Sequence, residues 1–310
     1  MPEEKPKPES SESIGKRYAT KIAMSRQFAG GVIAVVHTAE QATIAETYGA
    51  CGVIVISNTA TKMLKANANI SRAADPAIVK SIMSSMVLPV IGRVRVGHTM
   101  EARVMESCGV NAIDESETLE TTSTSFIKKH PFKVPFICGV ANLAEALQRT
   151  GEGASMLRSK VGSSPKTTGV SSASKTAGGG SVEEDKPTIR NAINCIRTIQ
   201  NNIEKLIAMT DEERQAYIKK HTLDPALVEQ VIRLKRLPLP LYADGGVVFP
   251  MDVAMLMDTG YDGVIASVQL FQAPNSEKRM RALVLAATHY KNPHMVASIS
   301  EGLGDAGAVV

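Results

Sequence analysis

Eight short apolar segments recur along the 310-residue chain, and their spacing constrains the fold more than any other feature. They fall at 31–36, 52–56, 89–94, 112–116, 135–140, 155–160, 238–243 and 263–268, and most are β-branched and apolar on both faces. A strand with two apolar faces needs a cover on each, the situation of a parallel sheet flanked by helices. Helical patterns at 39–48, 76–86 and 98–108 separate the first four segments, and Gly49 and Gly109 close two of them. Eight strands alternating with helices predict a closed (βα)8 TIM barrel with additional helices over residues 15–310, rather than an open doubly wound sheet.

In such a barrel the reacting groups sit at the C-terminal ends of the strands. Those ends carry Arg93 and Arg95, Asp114 and Glu117, Arg158 and Lys160, Asp244, and Ser267. A charge that closes an apolar strand is expected to face the barrel mouth, since burial without a partner is too costly.

Composition narrows the classes further. A hydrophobic share of 44% suffices for one full core. No apolar run approaches the ~20 residues of a membrane span. The opening MPEEKPKPESSES mixes charge and proline, so residues 1–14 are expected to be a disordered tail, neither secretory signal nor transit peptide. The expected compartment is therefore cytoplasmic. A net charge of +4 spread along the chain, with 4% aromatics and no Trp, gives no basic stripe or stacking platform for nucleic acid. Cys51, Cys108, Cys138 and Cys195 lie far apart without a C-x-x-C pair, and are expected to be reduced, buried thiols. No metal and no cofactor is expected. Residues 161–187 almost lack large apolar side chains, so they are predicted to form a flexible insert directly after the sixth strand. A tolerated surface insertion is favoured there over a regulatory lid.

Several long phrases share order and spacing with one known family. They are GGVIxxVxxAEQAxIAExxGA at 30–50, ADPAIV at 74–79, RVGHxxEARVxES at 95–107 and IDESE at 113–117. VPFICG at 134–139, EGASMLRSK at 152–160 and GGVxxPxDxAxLM at 245–257 continue them. From Gly30 to about Gly304 the chain resembles the PdxS/SNZ family, the synthase subunit of pyridoxal 5'-phosphate synthase. The resemblance implies a barrel that joins ribose 5-phosphate, glyceraldehyde 3-phosphate and ammonia, with ammonia supplied by a separate glutaminase subunit docked on it. It also implies ring assemblies of two stacked hexamers. The sugar would be held as an imine on a lysine at the end of the third strand, and a second lysine on the sixth strand would take over the intermediate. An aspartate on the first strand and the acids of the IDESE strand would manage protons. Glycine-rich turns at the last two strands would hold the sugar phosphate through backbone N–H groups.

Set against that pattern, several positions depart. The family phrase GGVIMDV stands here at 30–36, with Val35 at the aspartate position. The phrase AKARxGH stands at 92–98, with Arg93 at the position of the imine-forming lysine. A lysine can be tuned to lose its proton and attack a carbonyl, whereas a guanidinium stays protonated with a pKa above ~12. The G-S-G turn of the eighth strand is Ala266-Ser267-Val268, and the glycine pair before the ADP phrase is replaced by Asn67-Ala68-Asn69-Ile70. The G-x-G-T-G-N turn after the sixth strand is absent or lies within the insert. Near the family's second phosphate site, Phe126 stands for a histidine and Gln148 for one of a pair of arginines. The DAGAVV that follows Gly304 is shorter than the family tail, which folds over an active site and excludes water.

Lys160, Asp114, Glu117, Arg158 and the Gly245-Gly246 turn remain, with Ser267 as a further remnant of the phosphate turn. Either Lys160 is a surviving nucleophile with Asp114 as its acid–base partner, or these groups form an ion-pair network that fixes the barrel mouth. The second reading leads. His98, after a glycine at a helix start, is expected to orient structure. The leading expectation is thus a PdxS-like pseudoenzyme that assembles with a catalytic PdxS-type paralogue in a hexameric or dodecameric ring, and regulates or stabilises it. The glutaminase is a further candidate partner. The alternative is an active synthase working through Lys160. A third option is a phosphate-ligand sensor with Arg93, Arg95 and Arg158 as an anion clamp.

Overall fold

The computed structural model describes residues 11–57, 72–119, 125–160 and 189–304. Eight strands form: β1 Val32–Val36, β2 Gly52–Val55, β3 Val90–Arg95, β4 Ala112–Ser116, β5 Phe136–Val140, β6 Met156–Ser159, β7 Leu241–Val247 and β8 Gly263–Ala266. Each pairs in parallel with the next, and β8 returns to β1 from Val32↔Val264 to Ala34↔Ala266 to close the barrel. Seven strands coincide with the predicted segments to within two residues. The exception is β7, which begins at Leu241 rather than at 238 because Pro238 and Pro240 have no N–H for the ladder. It then runs on to Val247 through a register shift between Asp244 and Val247.

The helices are α1 Ser11–Ser25, α2 Ala39–Thr47, α3 Pro76–Ser85, α4 Thr99–Cys108, α5 Leu143–Gly151, α6 Ile189–Ala208, α7 Asp211–His221, α8 Pro225–Leu234, α9 Pro250–Asp258, α10 Ser276–His289 and α11 Pro293–Ser300. Side-chain caps set their starts. Thr38, Asp75, Asn142 and Thr210 each accept a backbone N–H from the first turn, and Asp75 is followed by Pro76. α1 begins at Ser11, so residues 11–14 of the expected tail are helical. Residues 1–10, the 161–187 insert, Asn67-Ala68-Asn69-Ile70 and the DAGAVV segment lie outside the described residues. At the N-terminal end of the barrel, Tyr18 donates to the Ala154 carbonyl at 2.7 Å, and buried Lys21 donates to that of Lys129 at 2.9 Å. These bonds fix α1 to the wall. Among the described residues, no helix is long and apolar enough to cross a membrane.

The strands alternate between two apolar shells, as the two-residue pleat requires. Val32, Ala34 and Val36 face the helices, while Ile33 and Val35 face inward with Ile54, Ile91, Ala112, Ile137, Met156, Tyr242 and Ile265. Phe28 plugs the N-terminal end. The Tyr242 ring fills the space beside Gly263, where a Cβ would stand 2.5 Å from its Cε1. Two residues beyond Ile91, Ala112, Ile137, Met156 and Tyr242 come Arg93, Asp114, Gly139, Arg158 and Asp244. On β3, β4, β6 and β7 the inward pleat therefore turns from apolar to charged in a single step, at the C-terminal mouth.

Candidate functional site at the barrel mouth

Arg93 and Asp114 are register partners on β3 and β4, and Arg93 Nε donates to Asp114 Oδ2 at 2.6 Å. From across the mouth, Arg158 Nε donates to Asp114 Oδ1 at 3.0 Å. Arg158 Nη1 and Nη2 clasp the two oxygens of Glu117 at 2.9 and 2.8 Å, and Nη2 also donates to Ser116 Oγ at 2.9 Å. Asp244 Oδ2 lies 3.6 Å from Arg93 Nη2 and 3.5 Å from Arg158 Nη1. Arg158 and Asp114 are fully buried, and Arg93 and Asp244 nearly so. Two guanidiniums thus face three carboxyl groups in a closed site.

The electrostatics follow from these contacts. Burial alone would push the Asp114 carboxyl up, but the Arg158 and Arg93 guanidiniums outweigh it and hold Asp114 below the usual carboxylate range. Burial also works against the Arg158 cation, yet Asp114, Glu117 and Asp244 raise its pKa well above its ordinary value. Asp244 goes the other way. Burial raises it, and the more distant Arg158 and Arg93 offset that only in part. Asp114 is therefore an ionised counter-ion with both oxygens engaged, not a group poised to exchange protons.

Gly139 on β5 makes the clasp possible. A Cβ there would stand 2.7 Å from Glu117 Oε1, and closer still to Oε2. Gly139→Ala is expected to displace Glu117 and lower stability by about 2–4 kcal/mol. Denaturant unfolding checks it, and an unchanged midpoint would show that Glu117 has another place to go.

The remaining sequence candidates separate. Lys160 does not join Asp114, because its Nζ lies 3.8 Å from Glu145 Oε2 on α5 with the side chain 28% exposed. The expected acid–base pair is thus not formed, and Lys160 stands outside the mouth network. Arg95 also points elsewhere, donating from Nε to Glu101 Oε1 at 2.8 Å. All three arginines of the supposed anion clamp already hold carboxylates. Val35 is buried in the inner apolar cluster. Ser267 caps the 3-10 turn Val268–Gln272, accepting from the Gln269 N–H at 3.4 Å, and its own N–H donates to the Val247 carbonyl at 3.1 Å. Ala266 and Val268 flank it as buried side chains. Gly245 and Gly246 lie at the irregular end of β7, with Gly246 at φ +73°.

Away from the mouth, His98 Nδ1 accepts the Glu101 N–H at 3.1 Å and caps α4, the structural role expected of it. Phe126 lies against Arg149, with the guanidinium carbon 3.2 Å from the ring centroid. Gln148 Nε2 donates to the His221 carbonyl at 2.8 Å. The four cysteines are free thiols. No group of metal-ligating side chains gathers among the described residues.

A second buried network was not foreseen. Lys129 sits between Glu115 and Glu152, 2.9 Å from an oxygen of each. The strict alternation of IDESE carried the signal, since an inward Asp114 requires an outward Glu115.

The sequence pattern of the SOR/SNZ family matches residues 17–244. This chain belongs to the SOR/SNZ family. The probable pyridoxal 5'-phosphate synthase subunit PDX1 of Ginkgo biloba is 38% identical over 290 residues, 93% of this chain and 87% of that protein. Subunit PdxS of Dictyoglomus turgidum is 39% identical over 286 residues, 92% of this chain and 90% of that one. The probable subunit pdx1 of Dictyostelium discoideum is 38% identical over 290 residues, covering 93% and 88%. In this SOR/SNZ member, the barrel supplies the frame, and the mouth residues decide what chemistry it can host.

Proposed function

We propose that this chain is a non-catalytic subunit of the pyridoxal 5'-phosphate synthase type, which assembles with catalytic subunits in vitamin B6 biosynthesis and regulates or stabilises them. Arg93 carries the reading. At the position where the resemblance calls for an imine-forming lysine stands a guanidinium, 2.6 Å from Asp114 and buried. It has no neutral form with which to attack a carbonyl at ordinary pH.

Three further features support it. Val35 cannot move a proton, and both oxygens of Asp114 are bonded to arginine. The mouth holds more carboxyl groups than cations, which opposes entry of a sugar phosphate. The Ser267 N–H is taken up by the Val247 carbonyl rather than left for an anion.

A second reading, synthesis through Lys160 alone, draws on one observation. Lys160 is partly exposed and only loosely held by Glu145 at 3.8 Å, so it could swing.

The purified chain given ribose 5-phosphate, glyceraldehyde 3-phosphate and ammonium is expected to form no pyridoxal 5'-phosphate, followed by the product's absorbance. Co-expressed with an active PdxS subunit, it is expected to elute in one mixed assembly. Synthesis by the chain alone at a rate comparable to the active subunit would overturn the proposal.

A further inference from the structure

We propose that the first turn of α10 is a carboxylate-binding site, and that Asp305, the residue directly after the described 189–304, fills it from the same chain. The inference does not depend on whether the chain catalyses.

Arg279 carries it. This side chain is fully buried, in the first turn of α10. Its Nε donates to the Pro274 carbonyl at 3.1 Å, and its Nη2 donates to the carbonyls of Leu303 and, at 2.8 Å, Gly304. The guanidinium carbon lies 5.7 Å from the centroid of the Phe249 ring. Nη1 is buried as well and has no hydrogen-bond partner among the described residues. Every group that this cation bonds among the described residues is thus neutral. A buried charge held only by neutral groups is costly, and an adjacent opposite charge offsets that cost.

The rest of the turn is equally short of negative charge. Lys278 donates to the carbonyls of Glu301 and Gly302 at 3.1 and 3.3 Å. Glu277 is the acid of the turn, and it accepts from the Tyr48 hydroxyl at 2.7 Å. Asn275, at the N-cap, gives no side-chain hydrogen bond. Two cations therefore stand at the positive end of a 14-residue helix, and no described carboxylate is bonded to either. An anion placed there meets both the charges and the helix dipole favourably.

Position selects the anion. Lys278 and Arg279 hold the carbonyls of four successive residues, 301–304. Gly302 and Gly304, at φ +63° and +69°, let the chain turn tightly against the start of α10. Asp305 comes next, joined to the carbonyl that Nη2 already holds. Nη1 is the other arm of the same guanidinium, within the short reach of an aspartate side chain. Phe249 follows β7 and Pro274 follows β8, so this latch lies on the same face of the barrel as the mouth network.

Hydrogen exchange of the purified chain, followed by peptide mass, tests the proposal. Asp305→Asn is expected to speed amide exchange at 301–304 by about tenfold or more and to leave β4 unchanged. Glu301→Gln removes an exposed acid from the same turn and is expected to change neither. Acetate and inorganic phosphate are expected to leave the wild-type chain unaltered, because its site is filled. In Asp305→Ala, acetate is expected to slow exchange at 301–304 again, with chloride at equal ionic strength as the control. In an Arg279→Gln chain, Asp305→Asn is expected to add no further loss; where that chain does not fold, the Asp305 arms decide. Unchanged exchange in Asp305→Asn would overturn the proposal, as would an equal effect of Glu301→Gln. So would a wild-type chain that tightens with acetate or phosphate, since its site would then await a free anion. No arm reads synthesis, so this proposal and the proposed function stand or fail separately.

Discussion

Arg158→Met is expected to lower the stability of the chain by about 3–5 kcal/mol, a large part of the ~5–15 kcal/mol that holds a typical protein folded. Arg158 is fully buried and answers Asp114, both oxygens of Glu117 and, at longer range, Asp244. Methionine keeps much of its bulk but strands those carboxylates in a closed site, with Arg93 alone to balance them. The pH dependence identifies the cause. In the wild-type chain Asp114 titrates below its unfolded value of about 3.9, so its contribution is complete above that pH and is lost as pH falls through the depressed value. In the variant the stranded carboxyls bind protons more readily when folded than when unfolded, so stability is regained as pH falls. The deficit against wild type, measured by denaturant unfolding, should be widest at neutral pH and narrow toward pH ~5. Adding Asp114→Asn and Glu117→Gln should recover roughly half of it. A deficit that stays the same across this pH range would show that packing, not stranded charge, was lost.

Introducing the two residue types that the family resemblance calls for at positions 35 and 93 is expected to bring almost no catalysis. Val35→Asp combined with Arg93→Lys should give less than ~1% of the synthesis of an active relative. The lysine introduced at position 93 would inherit the company of Asp114 and Asp244, and facing carboxylates hold an ammonium charged. The aspartate introduced at position 35 would add a further carboxyl to the inner apolar cluster and to a mouth already rich in acids. The turn that the family resemblance assigns to the sugar phosphate would still carry Ala266 and Val268 as buried side chains, with the Ser267 N–H bonded to Val247. A small amount of borohydride-trapped sugar on the new lysine at high ribose 5-phosphate fits this account. Ordinary activity in the double variant would not, because the loss would then reduce to two residues.

The barrel could be read from the sequence because its signal is local and repeated. Each strand shows a short run apolar on both faces, and several helices announce themselves with caps such as Asp75 before Pro76 or Gly109 after α4. The late start of β7 was legible in principle, since prolines at 238 and 240 have no N–H to donate to a ladder. The mouth was only half legible. Arg93, Asp114, Arg158 and Asp244 share the inward pleat, and strand position finds them. The same rule also gathers Arg95 and Lys160, which sit at or beyond the strand ends and turn to Glu101 on the helix after β3 and to Glu145 on the helix before β6. The clasp of Arg158 on Glu117 spans 41 residues, and no local pattern could reveal that Gly139 is small to make room for it.

The most direct test of the non-catalytic reading asks whether any lysine of this chain forms an imine with the sugar. The wild-type chain would be incubated with ribose 5-phosphate, reduced with borohydride and followed by intact and peptide mass, with an active relative treated in parallel. The account predicts an unmodified chain beside a fully modified relative. A stoichiometric sugar-phosphate adduct on the peptide bearing Lys160 would contradict it, and would make that lysine the nucleophile of an active enzyme.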